Sequence, residues 1–216
     1  MIGAVVAARG ALVAVRRTGP PPGLIAFQYN PDEMTRRVQA RSAAAGNAST
    51  VARDETLRLA GAPVETISLA VEFEAADAVA TTSGPGAALG VYPQLSALET
   101  MLYPASSTVL ANAALAAAGT IELLPAAAPL VLFVWGAGRV LPVRLDGFSI
   151  TEQAYDAALT PVRARAELEL RVLSYNDLPA DDPGHHLFLA HQVAKEALAV
   201  AGTAASAAAA LPRGLW

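Results

Sequence analysis

The chain has 216 residues, of which 54% are hydrophobic and 16% are charged, and it contains no cysteine. This length and apolar content are typical of a folded chain that buries a real core, not of a disordered one. The net charge of −4 argues against nucleic acid as a main partner. The lack of cysteine excludes disulfides, thiolate catalysis and cysteine-ligated metal centres.

The N-terminal part predicts a β-hairpin followed by a long loop. Residues 10–15 and 24–29 are short apolar runs, and the Gly-Pro-Pro-Pro-Gly stretch at 19–23 separates them, as expected for two strands joined by a turn. Residues 32–62 are polar, small and rich in arginine. We therefore expect a flexible loop there, with a helical turn near 32–40.

A half-buried strand and a helix follow. Residues 66–74 alternate strictly, so one face of that strand carries Ile67, Leu69, Val71 and Phe73. A helix is predicted over 92–103, because Pro93 would lie in its first turn, where the missing N–H costs nothing, and Pro104 would end it. The apolar stripe of this helix would be Leu95, Leu98 and Leu102. Residues 105–128 are small and carry little pattern.

The next segment predicts three consecutive antiparallel strands. Residues 130–135 form a continuous apolar run, and the glycines at 136–138 turn the chain. Residues 139–151 and 162–175 alternate and are joined by a loop at 152–161. We expect these two strands to pair as a long arm that extends beyond the core. The inward side chains would be Leu141, Val143 and Leu145 on the first strand, and Val162, Ala164, Ala166, Leu168, Leu170 and Val172 on the second.

The outward face of this hairpin provides the candidate functional residues, which are Arg144, Arg163, Arg165, Glu167, Glu169 and Arg171. Two carboxylates on one face could act as acid and base on a glycoside. Here arginines flank them, and this pattern is more typical of ion pairing across strands on a solvated or intersubunit face.

A C-terminal helix is predicted over 186–202, with an apolar stripe made by Leu187, Ala190, Ala194, Leu198 and Ala201. Asp181 and Asp182 precede it, where the helix dipole favours negative charge. The apolar regions 108–135 and 192–211 are interrupted by polar residues, glycine or proline, so neither is expected to cross a membrane. The start of the chain, 1–15, is interpreted as a strand because Arg9 interrupts its apolar run, unlike a signal peptide.

Catalytic motifs are weak throughout the sequence. The three histidines, His185, His186 and His191, could ligate a metal or supply a base, but they are equally consistent with polar residues at a helix start. His186 and His191 are five residues apart, about 140° around a helix, which is poor spacing for shared ligation. The sequence Trp135-Gly-Ala-Gly-Arg139 indicates a hairpin turn and not a dinucleotide loop, and no Walker A or Gly-x-Ser-x-Gly motif occurs. We expect no enzyme activity, cofactor or metal.

Three groups of residues together resemble a known family. Phe27-Gln-Tyr-Asn-Pro31 follows the first hairpin, and 61–69 leads into the alternating strand. Pro129 to Gly136, ending in Trp-Gly, is then followed by 139–144, 148–152 and 171–175. In this order the segments are similar to the tube-protein-like subunits of contractile injection systems, which are phage-tail-like particles. The resemblance covers about residues 24–178.

The resemblance implies a mainly β, α+β fold. It would be a tail-tube-like antiparallel β-sandwich or partial barrel with a flanking helix and a C-terminal helix. Residues 1–178 would form the β domain and 179–216 a helical appendage. Members form six-membered rings in which long hairpins line a lumen. The implied function is that of a tube initiator at the baseplate, joining the spike hub to the inner tube. The charged face of 139–175 would point to the lumen or to a neighbour.

The resemblance also implies partners and a location. The partners would be other copies of the chain in a homo-hexameric ring, the spike hub protein, the inner tube protein and other baseplate subunits, without nucleic acid or membrane insertion. Assembly would be cytoplasmic, followed by incorporation into the particle. Many such adaptors carry a C-terminal LysM domain, for which 179–216 is too short. This departure argues against a peptidoglycan-binding or sheath-binding role of that domain and leaves open a different ring position, that of an adaptor or terminator at the cap end of the particle. A free-standing cell-wall-binding module is a separate alternative.

Overall fold

Seven strands and three helices make up the described part of the chain. A computed structural model describes residues 9–15, 23–41, 59–75, 89–119, 129–136 and 138–210. The strands are β1 (Ala11–Val15), β2 (Leu24–Ala26), β3 (Met34–Gln39), β4 (Val64–Glu74), β5 (Leu130–Val134), β6 (Val140–Tyr155) and β7 (Pro161–Val172). The helices are α1 (Tyr92–Glu99), α2 (Ser106–Ala117) and α3 (Pro183–Ala210). The fold is mainly β and of the α+β type, as the sequence predicted.

The strands form one antiparallel sheet in the order β2-β1-β5-β6-β7-β4-β3. The predicted N-terminal hairpin is confirmed, since Leu12 of β1 pairs with Ile25 of β2. The predicted β5–β6 hairpin is confirmed as well, and Gly136 adopts the positive φ of 70° that its turn requires. In the described residues β2 and β3 are the two edges, so the sheet is open and not closed into a barrel.

One face of the sheet forms the core. The inward residues predicted for β4 are all buried, and so are those of β7 except Val162, which is half-buried. The largest fully buried side chains in the sheet include Phe73, Phe133, Leu141, Leu168 and Leu170. Helix α1 covers part of this face with Leu95 and Leu98, and α3 contributes Phe188. The alternation of apolar and polar residues is what places one set of side chains in this core and the other in solvent.

The predicted helical turn near 32–40 is wrong, because Met34–Gln39 forms the edge strand β3. Its backbone pairs with β4 in the register Met34 to Leu69 through Gln39 to Val64. Every β3 residue except Met34 is exposed. An edge strand can be polar on both faces, and it then lacks the alternation that sequence analysis depends on. The stretch 42–58 of the predicted loop, and residues 19–22 of the predicted turn, lie outside the described residues.

The strands predicted at 139–151 and 162–175 pair with each other, but the second ends at Val172, and the two do not form an arm beyond the core. Strand β7 lies between β6 and β4, and Ala164 and Ala166 near its start are fully buried. The connecting loop is also shorter than the predicted 152–161, since β6 continues to Tyr155. The Asp156 N–H donates to the Thr160 carbonyl at 3.0 Å and closes the turn.

Two predicted helical stripes need correction. Helix α1 ends at Glu99, so Leu102 is 44% exposed, and Met101 is buried in its place. In α3 the predicted stripe residues Ala190, Ala194, Leu198 and Ala201 are exposed, and Leu187 is half-buried. Contact of α3 with the sheet is confined to the first half of the helix, where Gly184 and Phe188 are the buried residues. Where a helix extends beyond the core, its apolar side chains stay exposed even though the sequence has an apolar stripe.

The weakly patterned stretch 105–128 contains an α-helix, α2, none of whose residues is buried. Alanine has the highest helix propensity, which explains a helix there without an amphipathic stripe. No helix in the described part of the chain has the length and hydropathy that a membrane span requires. The division of the chain at residue 178 stays a prediction.

The connection before α1 gives a first test of this packing. Gly90 has φ of 57°, and an added Cβ would lie 2.2 Å from the Pro161 carbonyl oxygen. We expect Gly90→Ala to lower the free energy of unfolding by about 1–3 kcal/mol, measured by urea denaturation. Gly147→Ala is the matched control, because nothing lies within 4 Å of the added Cβ there. Equal effects of the two substitutions would contradict the close approach of Gly90 to Pro161 at the start of β7.

Candidate functional site: the charged outer face of the sheet

The six residues singled out from the sequence lie on one face of the sheet, opposite the core. We call them the charged face, and they are Arg144, Arg163, Arg165, Glu167, Glu169 and Arg171. Strand β7 carries five of them at every second position, and β6 carries Arg144 directly opposite Arg171. Along β7, apolar and charged residues alternate. The alternation that buries Ala164, Ala166, Leu168 and Leu170 therefore turns the residues of the charged face to the other side of the sheet.

Ion pairs fix several of these arginines. Arg163 forms a salt bridge with Glu74, its cross-strand partner on β4. Arg165 lies 3.7 Å from Glu167, two residues further along β7. The Arg144 Nε donates to Asp146 Oδ1 at 2.7 Å. These pairs are exposed, so each contributes little to stability and mainly orients the side chains.

Asp177 holds the end of the charged face that lies nearest to α3. Its carboxylate accepts hydrogen bonds from the Ser174 hydroxyl at 2.7 Å and from Arg41 at 3.1 Å, and it lies 3.6 Å from Arg171. Partial burial raises the pKa of Asp177, but the Ser174 and Arg41 hydrogen bonds outweigh it and hold that pKa below its usual value. Arg171 thus faces Arg144 without an uncompensated positive charge.

A shallow groove of about 490 Å³ runs across the charged face. Small side chains form much of its floor, and its borders carry Glu33, Arg165, Glu167 and Glu169. Gly147 lies at a β-bulge on β6, and open space lies above it. Glu167 and Glu169 are both exposed, which suits contact with another surface better than acid–base chemistry, where a desolvated carboxyl is needed.

A second polar cluster lies on the core side and was missed by the sequence analysis. Glu65 of β4 is 3% exposed, and its carboxylate accepts from Arg36 Nε at 2.8 Å and from Lys195 Nζ at 3.3 Å. Burial raises the pKa of Glu65, but the Arg36 hydrogen bond and the Lys195 charge outweigh it, so that pKa lies below its usual value of 4.5. Lys195 belongs to α3, so this cluster ties the helix to two strands.

The three histidines are not brought together as a ligand set. His185 Nδ1 lies 3.3 Å from the Leu178 carbonyl oxygen, and its ring lies edge-on to that of His186. His191 is further along α3, and its Nε2 is buried without a hydrogen-bond partner among the described residues. Within the described residues no three His, Asp or Glu side chains are placed to hold a metal ion. The absence of a metal, a cofactor and enzyme activity stays a prediction.

Two signals in the sequence could have revealed the Glu65 cluster. The alternation of β4, continued one step before Ile67, places Glu65 on the buried face, where a carboxylate needs a partner. Lys195 is the only lysine in the sequence. No such signal indicated that Glu33 and Thr35 line the groove, because their segment was interpreted as a loop.

Comparison with protein-family models found no match to this chain. Comparison with curated proteins found no match either. The family resemblance therefore stays a prediction that rests on the residues quoted for it.

The Glu65 cluster predicts a defined response to acid. Because its pKa is lowered in the folded state, the stability that Glu65 contributes is present above pH 4.5 and is lost as the pH falls below that value. We expect Glu65→Gln to lower the free energy of unfolding at pH 7 by about 1.5–3 kcal/mol and to flatten its dependence on pH below 4.5, measured by urea denaturation.

Glu72→Gln is the control for this substitution, because Glu72 lies on the same strand but is exposed. It should change the stability at pH 7 by less than about 0.5 kcal/mol. An acid response of Glu65→Gln that equals that of the unmodified chain would show that Glu65 is not the titrating group.

Proposed function

We propose that this chain is a structural subunit of a contractile injection particle. It would act as a tube initiator or baseplate adaptor that joins the spike hub to the inner tube, within a ring of six copies. The observation that carries the proposal is the geometry of the β6–β7 hairpin. Its inner face belongs to the core. Its outer face carries charged residues at alternate positions of the chain and, together with β4, presents them to solvent across three neighbouring strands.

The open sheet supports the same role. Strand β3 has no second strand partner among the described residues, and five of its six side chains are exposed. Exposed strand edges readily pair with a further strand, so soluble proteins usually protect them. In a ring, a neighbouring subunit would cover this edge, and the charged face would point to the lumen or to that neighbour. The tail-tube-like architecture belongs to this proposal.

The exposed helices also favour a role in an assembly. No residue of α2 is buried, and Leu110 is 70% exposed. In α3, Leu198 and Val200 are 71% and 70% exposed. Contacts with the spike hub, the inner tube or other baseplate subunits would cover such surfaces. The proposed location follows from this role: assembly in the cytoplasm and incorporation into the particle.

The decisive experiment is cryo-electron microscopy of particles from the native host, with mass spectrometry to detect this chain in them. A six-fold ring between spike and tube is the expected result, with the β6–β7 hairpin lining it. A position at the far end would make the chain a cap-end adaptor or terminator. Particles that lack the chain, together with a stable monomer in solution, would overturn the proposal.

Charge reversal tests the charged face directly. We expect Glu167→Lys with Glu169→Lys to prevent incorporation into particles, because the variant reverses the carboxylates that border the groove. The folded state should persist, since exposed substitutions change stability by about 0.5 kcal/mol or less. Incorporation is measured by quantitative mass spectrometry of purified particles, and folding by circular dichroism.

The control is Asp32→Lys with Asp181→Lys, which makes the same change in net charge at exposed positions outside the charged face and outside α2 and α3. This control variant should be incorporated normally. Normal incorporation of the Glu167 and Glu169 variant would show that the charged face is not an assembly surface.

One observation favours the cell-wall-binding alternative. The tyrosines Tyr29, Tyr92, Tyr103 and Tyr155 are each 45% exposed or more. Tyr92 and Tyr155 both lie near Pro161, because the N–H of the preceding Val91 donates to the Pro161 carbonyl and Tyr155 is the partner of Pro161 on β6. Exposed aromatic rings are typical of surfaces that stack on sugars. Sedimentation with purified peptidoglycan would test this function. Binding that Tyr92→Ala and Tyr155→Ala abolish would support it, and absence of the chain from the pellet would exclude it.

A further inference from the structure

Helix α3 is attached to the sheet over its first half only. Phe188 is buried and packs edge-on against Tyr175, with ring centroids 5.8 Å apart. Two turns later Lys195 reaches Glu65 on β4. Residues 196–203 are all exposed. The Lys195–Glu65 contact is therefore the last one that holds the helix on the sheet in this part of the chain.

His191 lies between these two attachment points, one helical turn before Lys195. Its side chain is partly buried, and Nε2 is fully buried without a hydrogen-bond partner among the described residues. A neutral imidazole can occupy such a site at moderate cost. An imidazolium cannot easily do so, because a buried charge needs a partner that accepts its hydrogen bond.

The charged groups around His191 come from all the elements packed near it. They are Lys195 on α3 itself, Arg36 on β3, Glu65 on β4 and Arg139 just before β6. Glu65 already accepts hydrogen bonds from Arg36 and Lys195. A proton on His191 would thus add a further positive charge to three cations and one carboxylate that is already engaged. His191 and Lys195 are also four residues apart on one helix face, where like charges repel.

We propose that His191 makes the docking of α3 on the sheet sensitive to mild acid, so that a proton on its ring releases the helix around Lys195. This inference is independent of the proposed function, since it concerns contacts within one copy of the chain. Release would break the Lys195–Glu65 contact and leave Glu65 with Arg36 as its remaining partner.

The direction of the pH dependence follows from the environment of the ring. Burial, and then the Lys195 charge, lower the pKa of His191 below its usual value of 6.5. The docked state therefore binds fewer protons than the released state. Docking is fully favoured above pH 6.5 and is weakened as the pH falls below it. The pKa of Glu65 is held below 4.5 in the docked state, so a comparison between pH 7.5 and 5.5 lies above the range in which Glu65 responds.

The chain has no cysteine, which allows a clean distance measurement. Thr151→Cys on β6 and Ala197→Cys on α3 introduce two exposed labelling sites for a fluorescent donor and acceptor. Energy transfer is measured in the full chain at pH 7.5 and 5.5, with circular dichroism to verify folding. We expect the ratio of released to docked helix to rise by up to about tenfold between these two values.

Matched variants separate His191 from the other titrating groups. His191→Gln should remove the response between pH 7.5 and 5.5, and His191→Asn serves the same purpose if the glutamine variant does not fold. His186→Gln, at an exposed position on the same helix, should respond like the unmodified chain. Unchanged energy transfer in the folded unmodified chain, a response only below pH 4.5, or a full response in His191→Gln would each overturn the proposal.

Discussion

The pairing of β7 with β6 on one side and β4 on the other is the interaction on which the rest of the structure depends. It forms the middle of the sheet, and the backbone hydrogen bonds of both ladders fix which side chains point inward. A shift of one residue in either register would move Ala164, Ala166 and Leu168 into solvent and bury the charged face. The core and the candidate assembly surface are therefore two consequences of a single register.

Much of this arrangement could be predicted from the sequence because strict alternation is a strong signal. The inward residues of β4 and β7 and the six residues of the charged face follow from period-two patterns, and the position of β5 follows from a continuous apolar run. The sequence-based predictions were wrong where the hydrophobic pattern of a segment does not match the burial of its side chains. Strand β3 is polar because it is an edge, and α3 is apolar on a side that no part of the described chain covers.

Long-range contacts were the other part that could not be predicted. Glu65 and Lys195 are 130 residues apart in the chain, and local patterns do not encode that contact. The same holds for Arg41 and Asp177, which join the segment predicted as a loop to the turn after β7. Both ion pairs link segments whose positions are set by the sheet as a whole, so they become visible only once the strand order is known.

The single lysine of the sequence has a practical consequence for the chemistry of the chain. The Lys195 side chain is 44% exposed, and its ammonium group contacts Glu65. Because the sequence has no other lysine, a reagent that acylates lysine side chains would modify this contact alone. Acetylation would neutralise the ammonium charge and remove its salt bridge with Glu65. The reactivity of one side chain towards acylation would thus serve as a chemical measure of how tightly the C-terminal helix is held on the sheet.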